Sequence, residues 1–581
     1  MKIKALIYIL TGFFLFSCND LDLNPLSEGS SESWNANASE LDMSVAYLYD
    51  IDFWDAELTR TSTSTSLSGY ELEWTDRYTD DWTARASLSD ITGGTINSQS
   101  SFVTIAWKYA YTCIAAANQV IVSLDKAAES VSESKLKEYE AKARFARAAQ
   151  YARLIFLYGD VPYYTNVLSI EEAFSLSRTD KQTILEAVYA DYDFAAEYLP
   201  ITYGSNELLF PTKGAALAMK SRIALYMGDW SVARDAAKAC MDLGVYELHP
   251  DYSTLFLSKT KNATENVFAI PRSVGLGIYI PRGGRAKEPI TRIAGGFCNG
   301  GPSWDLFSAY LCEDGLPIDE SPLYNPHEPF KNRDPRCTAS IVEFQTPWLG
   351  FMYQPHPDSL TVLNFNTGKY QSNADSRGVG QYASYNALTW KKKLDEDWLD
   401  LLTDPDNRII RYADVLMIYA EAKIELGETD QSVLDAMNQV RARAYGVPYT
   451  DTSSYPAITG TNQDELRKTL RIERRMEFAF EGLRYADLIR WRLAEKALNT
   501  PIYGMLELDD LRERVVKPGL WFFPSTPSID EDGVADFSGM HQAGQINLLV
   551  ERQFDPSKQY LWPIPANEIL INKNLTQNAG Y

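Results

Sequence analysis

The sequence predicts a mainly α fold, a tetratricopeptide-like helical-repeat scaffold with long loop-rich insertions and a few short strands. Three observations predict it. At 581 residues the chain exceeds one ordinary core. Helical periodicity rich in Ala, Leu, Lys and Arg returns in pairs along it. Between the second and third pair, a stretch of more than a hundred residues is crowded with Gly, Pro and aromatic residues instead. Hydrophobic residues at 45% and charged residues at 23% fit a folded globular chain. A net charge of −23 repels polyanions, so no nucleic-acid partner is expected.

The elements follow in order. Lys2 and Lys4 precede an apolar run from Ala5 to Phe16, the pattern of a secretory signal over 1–17 and too short to span a bilayer. It ends Leu15-Phe16-Ser17-Cys18, which resembles a bacterial lipobox, so Cys18 is the expected lipidation site. Asp20 and Asp22 just behind it resemble the surface-export signal of Bacteroidetes lipoproteins, which places the chain lipid-anchored on the exposed face of the outer membrane. The mature chain divides into an N-terminal helical-repeat part (18–261), a loop-rich insertion (262–400) and a C-terminal helical part with closing loops (401–581).

Residues 135–158 read as one helix stopped at Gly159-Asp160-Val161-Pro162, and 182–199 as the next, ended by Pro200. Residues 214–242 set Gly228-Asp229-Trp230 between two helical runs, a tetratricopeptide-like hairpin that recurs at 412–443 with Leu426-Gly427 at its turn. Within the insertion, Asn266 to Ile270 and Ala339 to Phe344 read as short strands. Loops of such length are commonly functional.

Cys113 and Cys240 read as buried in helices. The other three internal cysteines, Cys298, Cys312 and Cys337, leave their state open, and no C-x-x-C pattern indicates zinc. Four scattered histidines form no hydrolase or zinc motif, and Asp404-Pro405-Asp406-Asn407-Arg408 has Ile409 where a calcium loop needs Gly. No metal at these motifs and no cofactor is expected, and a structural ion elsewhere stays open. Glu473, Glu477 and Glu481 fall at i, i+4, i+8 beside several arginines, with Arg411 and Asp414 at i, i+3 elsewhere; this reads as an ion-pair network between packed helices, not a glycosidase acid pair. No catalytic residue is expected.

Two clusters point to ligand chemistry. Tyrosine and tryptophan (35 and 13) outnumber the 24 phenylalanines two to one, which suits half-wet surfaces. Trp74, Tyr78 and Trp82, spaced four and four, would align three rings on one helix face for stacking on sugar C–H faces, with Asp76, Arg77, Asp80 and Asp81 as hydrogen-bonding partners. Residues 272–292 carry Arg272, Arg282, Arg285, Lys287 and Arg292 against Glu288 alone, a basic loop whose forks at Arg282 and Arg285 suit a carboxylate or sulfate. Tyr279, Trp348 and Tyr353 would complete that face, whereas Trp304 reads as a helix anchor. A buried stripe and a solvated or docking loop are the competing readings of the two clusters.

Along the whole mature chain these pieces resemble the SusD/RagB outer-membrane lipoproteins of Bacteroidetes nutrient uptake. The resemblance rests on Tyr158 to Pro162, Gly228-Asp229-Trp230, Arg333-Asp334-Pro335-Arg336, Arg411-Tyr412-Ala413-Asp414-Val415 and Asn438-Gln439-Val440-Arg441. It continues through Glu473 to Tyr485, Pro563-Ile564-Pro565 and Gln577-Asn578-Ala579-Gly580-Tyr581, with Ala579 where the family often has Pro. It implies a non-catalytic surface lipoprotein that captures an oligosaccharide and delivers it to a SusC-like TonB-dependent transporter; the basic loop at 272–292, separately, suggests an anionic one. A RagB-type peptide binder and, further off, a secreted glycoside hydrolase are the alternatives.

Overall fold

The computed structural model describes residues 34–54, 75–204, 207–279, 287, 289–395 and 403–581. Cys18, Trp74, Arg282 and Arg285 lie outside them. The N-terminal elements are α1 (Ala38–Tyr47), the two-residue β1 (Trp82–Thr83), α2 (Ser101–Ser123), α3 (Glu133–Tyr158), α4 (Lys181–Tyr198), α5 (Lys213–Met227) and α6 (Trp230–Met241). Ser132 starts α3 by accepting from the Lys135 N–H, and Ala141, Ala143, Ala146 and Ala148 are fully buried along it. These small residues let α2 and α4 pack closely on either side. Gly228, at φ +79°, turns the chain between α5 and α6, and the Asp229 carboxylate caps α6 through the Val232 N–H.

The insertion leaves and returns through a two-stranded neck. β2 (Asn266–Ile270) pairs antiparallel with the later strand at 407–411, Asn266 opposite Arg411 and Ile270 opposite Asn407. Beyond the neck lie β3 (Gly301–Pro302), α7 (Trp304–Ala309), α8 (Pro335–Ser340) and a four-stranded antiparallel sheet of β4 (Thr346–Trp348), β5 (Phe351–Tyr353), β6 (Thr361–Asn364) and β7 (Lys369–Ser372). The return strand is β8 (Asn407–Arg411), followed by α9 (Tyr412–Glu425), α10 (Gln431–Ala444), α11 (Gln463–Glu477) and α12 (Arg484–Arg490). Because the neck closes the loop, α9 lands directly on α6, so the third hairpin continues the repeat stack begun by the second.

The main core runs through both helical parts, from Leu41 to Leu575. A second, aromatic core joins the insertion to the C-terminal part: Trp304, Phe307, Trp390, Phe480, Phe522 and Phe523. Trp304 anchors it as expected, its indole N–H donating to the Asn386 carbonyl. Cys113 and Cys240 are buried in α2 and α6, and all five cysteines from Cys113 to Cys337 are free thiols.

Three local expectations are corrected. Ala339 to Phe344 is no strand: Pro335 and the Asp334 cap, which accepts from the Arg336 N–H, start α8 there, and Ile341 makes only an isolated bridge to Trp390. Residues 75–82 form no ring-bearing helix, only a single 3₁₀ turn at Asp76–Tyr78 before β1. The cause is electrostatic. Asp80 and Asp81 are buried and bind Arg475, and Asp80 also binds Arg484, which holds the chain in an extended passage. Third, α11 stops at Glu477, so Glu481 sits in the turn beyond it, after Phe480 at φ +59°.

Candidate functional site

Glu473 and Glu477 are fully buried, and Glu481 stands at the half-buried edge of the same cluster. Glu473 accepts from Arg336 Nη1 at 2.6 Å and Arg441 Nε at 2.8 Å; Glu477 accepts from Arg411 Nη1 at 2.7 Å, Arg336 Nη1 at 3.2 Å and Arg443. Glu481 takes Arg411 Nε at 2.8 Å and Lys392 Nζ at 2.7 Å. Burial alone would push the Glu477 carboxyl up, but Arg443, Arg411 and Arg336 outweigh it and bring it to about 2. A carboxylate so held does not exchange a proton at neutral pH; of the three, Glu481 alone lines a described pocket, a 250 Å³ hollow it shares with Arg222, Tyr226 and Tyr485. Arg411 and Asp414 belong to this architecture without pairing with each other: Arg411 ends β8 and binds Glu265, Glu477 and Glu481, while Asp414 binds Arg222 and Arg474.

Of the aromatic residues expected at the ligand face, four are core rings. Tyr78 packs edge-on against Tyr485 and Trp562 at 5.8 and 6.2 Å. Trp82 is pulled inward because β1 pairs with β3, which sets its ring edge-on to Trp390 at 5.6 Å. The seat depends on Gly300, where a Cβ would stand 2.4 Å from Trp82 Cζ2. Trp348 and Tyr353 are interior to the small sheet, the Tyr353 hydroxyl donating to the Ala387 carbonyl at 2.6 Å. With 2–5% of their surfaces accessible, these rings offer no face for a sugar to stack on. Tyr78 and Trp82 do meet at the wall of a 300 Å³ pocket, with the Arg77 guanidinium 5.3 Å from the Trp82 ring. Tyr279 is half-buried at the edge of the undescribed 280–286.

The open aromatic surface lies one step further along. After β1 the chain turns at Arg85, in the left-handed region at φ +55°. Arg85 Nη2 donates to the carbonyls of Phe297 (3.0 Å) and Tyr382 (3.1 Å), stitching three loops from distant parts of the sequence. The rings it gathers are exposed: Phe297 at 42% and Tyr382 at 49%. The Arg85 guanidinium lies 5.2 Å from the Tyr382 ring and 5.6 Å from that of Tyr385; Arg292 approaches Tyr382 at 5.8 Å, and Lys287 approaches Phe297 at 6.0 Å. Beneath the rim, Arg85 Nε and Asn299 Oδ1 are buried polar atoms without a hydrogen-bond partner among the described residues. Two residues of the basic loop, Lys287 and Arg292, thus reach this rim.

Sequence reasoning missed Arg85, Phe297, Asn299 and Tyr382. The available signal was glycine flanking an aromatic, Gly295-Gly296-Phe297 and Gly378 and Gly380 before Tyr382, which marks a ring on a turn and not on a helix stripe.

Comparison with known proteins agrees with this architecture. The family profile described as SusD family matches residues 279–581, and one described as starch-binding associating with outer membrane matches 48–225. SusD-like protein P2 of Formosa agariphila is 25% identical over 601 residues, covering 100% of this chain and 99% of its own length. SusD-like protein P25 of the same organism is 24% identical over 526 residues, covering 84% and 90%. Among solved structures, a SusD-like carbohydrate binding protein from Bacteroides fragilis matches at a TM-score of 0.74 and 26% identity, covering 93% of this chain and 99% of that one. A laminarin binding SusD-like protein shares the fold at a TM-score of 0.61 and 18% identity, covering 94% and 100%. With its profile spanning more than half of the sequence, the chain belongs to the SusD family.

Proposed function

We propose that this protein captures oligosaccharides at the outer face of the outer membrane and delivers them to a SusC-like TonB-dependent transporter, without catalysing their cleavage. One observation carries the reading: two exposed rings, Phe297 and Tyr382, stand on loops tied together by Arg85, with unpartnered polar atoms of Arg85 and Asn299 beneath them. Ring faces suit sugar C–H surfaces, and unpartnered donors and acceptors suit hydroxyl groups. The burial of Glu473 and Glu477 and their engagement by arginines support a binding protein. Similarity to a carbohydrate-binding relative over nearly the full chain supports the glycan in preference to a peptide. Lipidation at Cys18 would tether the protein beside the transporter, and one acyl chain contributes about 0.8 kcal/mol per buried CH₂.

The test is an oligosaccharide array followed by calorimetry with wild type, Tyr382→Ala and Phe297→Ala. Binding that the ring variants weaken, with no cleavage product, is the expected result. Peptide binding with a silent glycan array would replace the reading by the peptide alternative, and turnover of any glycan would revive the hydrolase. Membrane partition of Cys18→Ser equal to wild type would refute the anchor.

A further inference from the structure

The charge balance at the rim goes further and names the class of saccharide. Arg85, Lys287 and Arg292 form no ion pair with any carboxylate among the described residues, and each is half-buried. In a chain with 78 acidic residues against 55 basic ones, carboxylates were plentiful for them. Most buried arginines elsewhere use such partners: Arg336, Arg411, Arg474, Arg475, Arg484 and Arg490 each bind one or more, whereas the buried Arg333 is satisfied by the carbonyls of Pro329, Phe307 and Tyr310. The nearest acidic groups do not neutralise the rim. Glu507 is exposed and engages Arg377, whose guanidinium sits 4.9 Å from the Tyr385 ring. Asp375 lies buried underneath, accepting from the backbone N–H of Arg292 at 2.7 Å and of Ile293 at 3.3 Å.

We infer that the captured saccharide carries an anionic group, a carboxylate or a sulfate ester, seated on Arg85 and Arg292 beside the Tyr382 ring. This rests on the capture reading above. The two backbone carbonyls hold the Arg85 fork in place through Nη2, so little side-chain entropy is lost when a ligand oxygen meets Nη1, which makes no hydrogen bond among the described residues. Stacking orients the guanidiniums without using their N–H donors; Arg85 Nη2 and Arg292 Nη1 are engaged by backbone carbonyls, and the other donors at the surface remain for charge-assisted bonds to a planar or tetrahedral oxyanion. A neutral glycan would leave this positive charge without a counter-ion as it displaced water from the rim.

The experiment is calorimetry of the purified mature chain against neutral, uronate-bearing and sulfate-ester-bearing oligosaccharides at 50 and 300 mM NaCl, with Arg292→Gln, Arg85→Lys and Tyr382→Ala. Binding confined to anionic sugars, weakened several-fold by salt and about tenfold or more by Arg292→Gln, is expected, and the uronate and sulfate arms tell which oxyanion is recognised. Arg85→Lys keeps the charge but loses the fork and its two carbonyl bonds, so it should weaken binding of the anionic sugars several-fold despite the retained charge. Neutral sugars binding equally well, insensitive to salt and to Arg292→Gln yet lost in Tyr382→Ala, would overturn the inference and leave the capture reading standing. Silence across all three classes would overturn both.

Discussion

The molecule holds two populations of arginine that differ in what surrounds them. Inside, where α9, α10 and α11 meet the neck of the insertion, guanidiniums and carboxylates are matched: Glu477 alone accepts from three arginines. At the rim, Arg85, Lys287 and Arg292 face rings and carbonyls instead, with no carboxylate partner among the described residues. The difference teaches which charges are architecture and which are available. Desolvated ions survive only when compensated, so matched charge marks a structural joint; unmatched charge at a half-open surface marks a place that a ligand can complete.

The sharpest way to break this comparison is at the joint. Glu477→Gln leaves Arg336, Arg411 and Arg443 short of a counter-charge in the interior, and should cost ~3–5 kcal/mol of stability in denaturant unfolding. The fraction that stays folded should bind glycan as wild type does. An unchanged unfolding midpoint with lost binding would reverse the assignment of the two populations.

Acid should loosen the same joint. The folded Glu477 carboxyl is brought from the ordinary 4.5 to about 2, so its stabilisation is complete above about 5 and is lost as pH falls through that window. That is roughly 3 kcal/mol from one group. Thermal melting followed from pH 6 to pH 2.5 should therefore drop steeply below about 4.5, and should flatten in Glu477→Gln. A wild-type melting temperature constant down to pH 3 contradicts the picture.

How much of this was legible beforehand follows from the range of each interaction. Helices at 133–158, 181–198, 213–241 and 412–444 were readable because capping and small-residue periodicity act within a few residues. The ion-pair reading of Glu473 and Glu477 was accessible for the same reason, since charges interleaved with apolar residues must be buried and paired. The aromatic rim was legible only through Lys287 and Arg292 of the basic loop. Its members at 85, 292–299 and 382 are brought together by two hydrogen bonds from one arginine, and no local pattern encodes that meeting. The stripe of Tyr78 and Trp82 failed for a related reason: long-range pairing of Asp80 and Asp81 with Arg475 overrides the helical spacing that made it look like a platform.

Ring substitutions sharpen the comparison from the other side, with a smaller effect. Tyr382→Ala and Phe297→Ala should each weaken oligosaccharide binding by ~1–2 kcal/mol, with little change in melting because both rings are exposed. Trp348→Ala should do the opposite, destabilising the small sheet by ~3–5 kcal/mol while its ligand effect stays secondary. Calorimetry and melting on the same three preparations separate the two classes. Equal affinity in both rim variants would remove these rings from the site.

The smallest effect comes from a carboxylate beneath the rim. Asp375 is internal like the joint carboxylates, yet it has no arginine side chain bound to it and lies beneath Arg292. Burial raises its carboxyl from the ordinary 3.8 to about 7, with the backbone N–H groups of Ile293 and Arg292 opposing only in part. Its folded pKa being raised, the group favours the fold at low pH and loses that contribution as pH rises toward 7. The neighbouring Cys298, pushed by burial to about 12, stays a neutral thiol throughout. Raising the pH from 6 to 8 therefore adds one negative charge below the rim, which should weaken an anionic ligand by on the order of 0.5 kcal/mol, about twofold. Asp375→Asn keeps the oxygen that accepts the two backbone N–H groups but cannot ionise, so its affinity should be flat over the same interval. A twofold loss that persists in Asp375→Asn would assign the titration to another group, and a flat wild-type profile would show that the charge on Asp375 does not reach the rim.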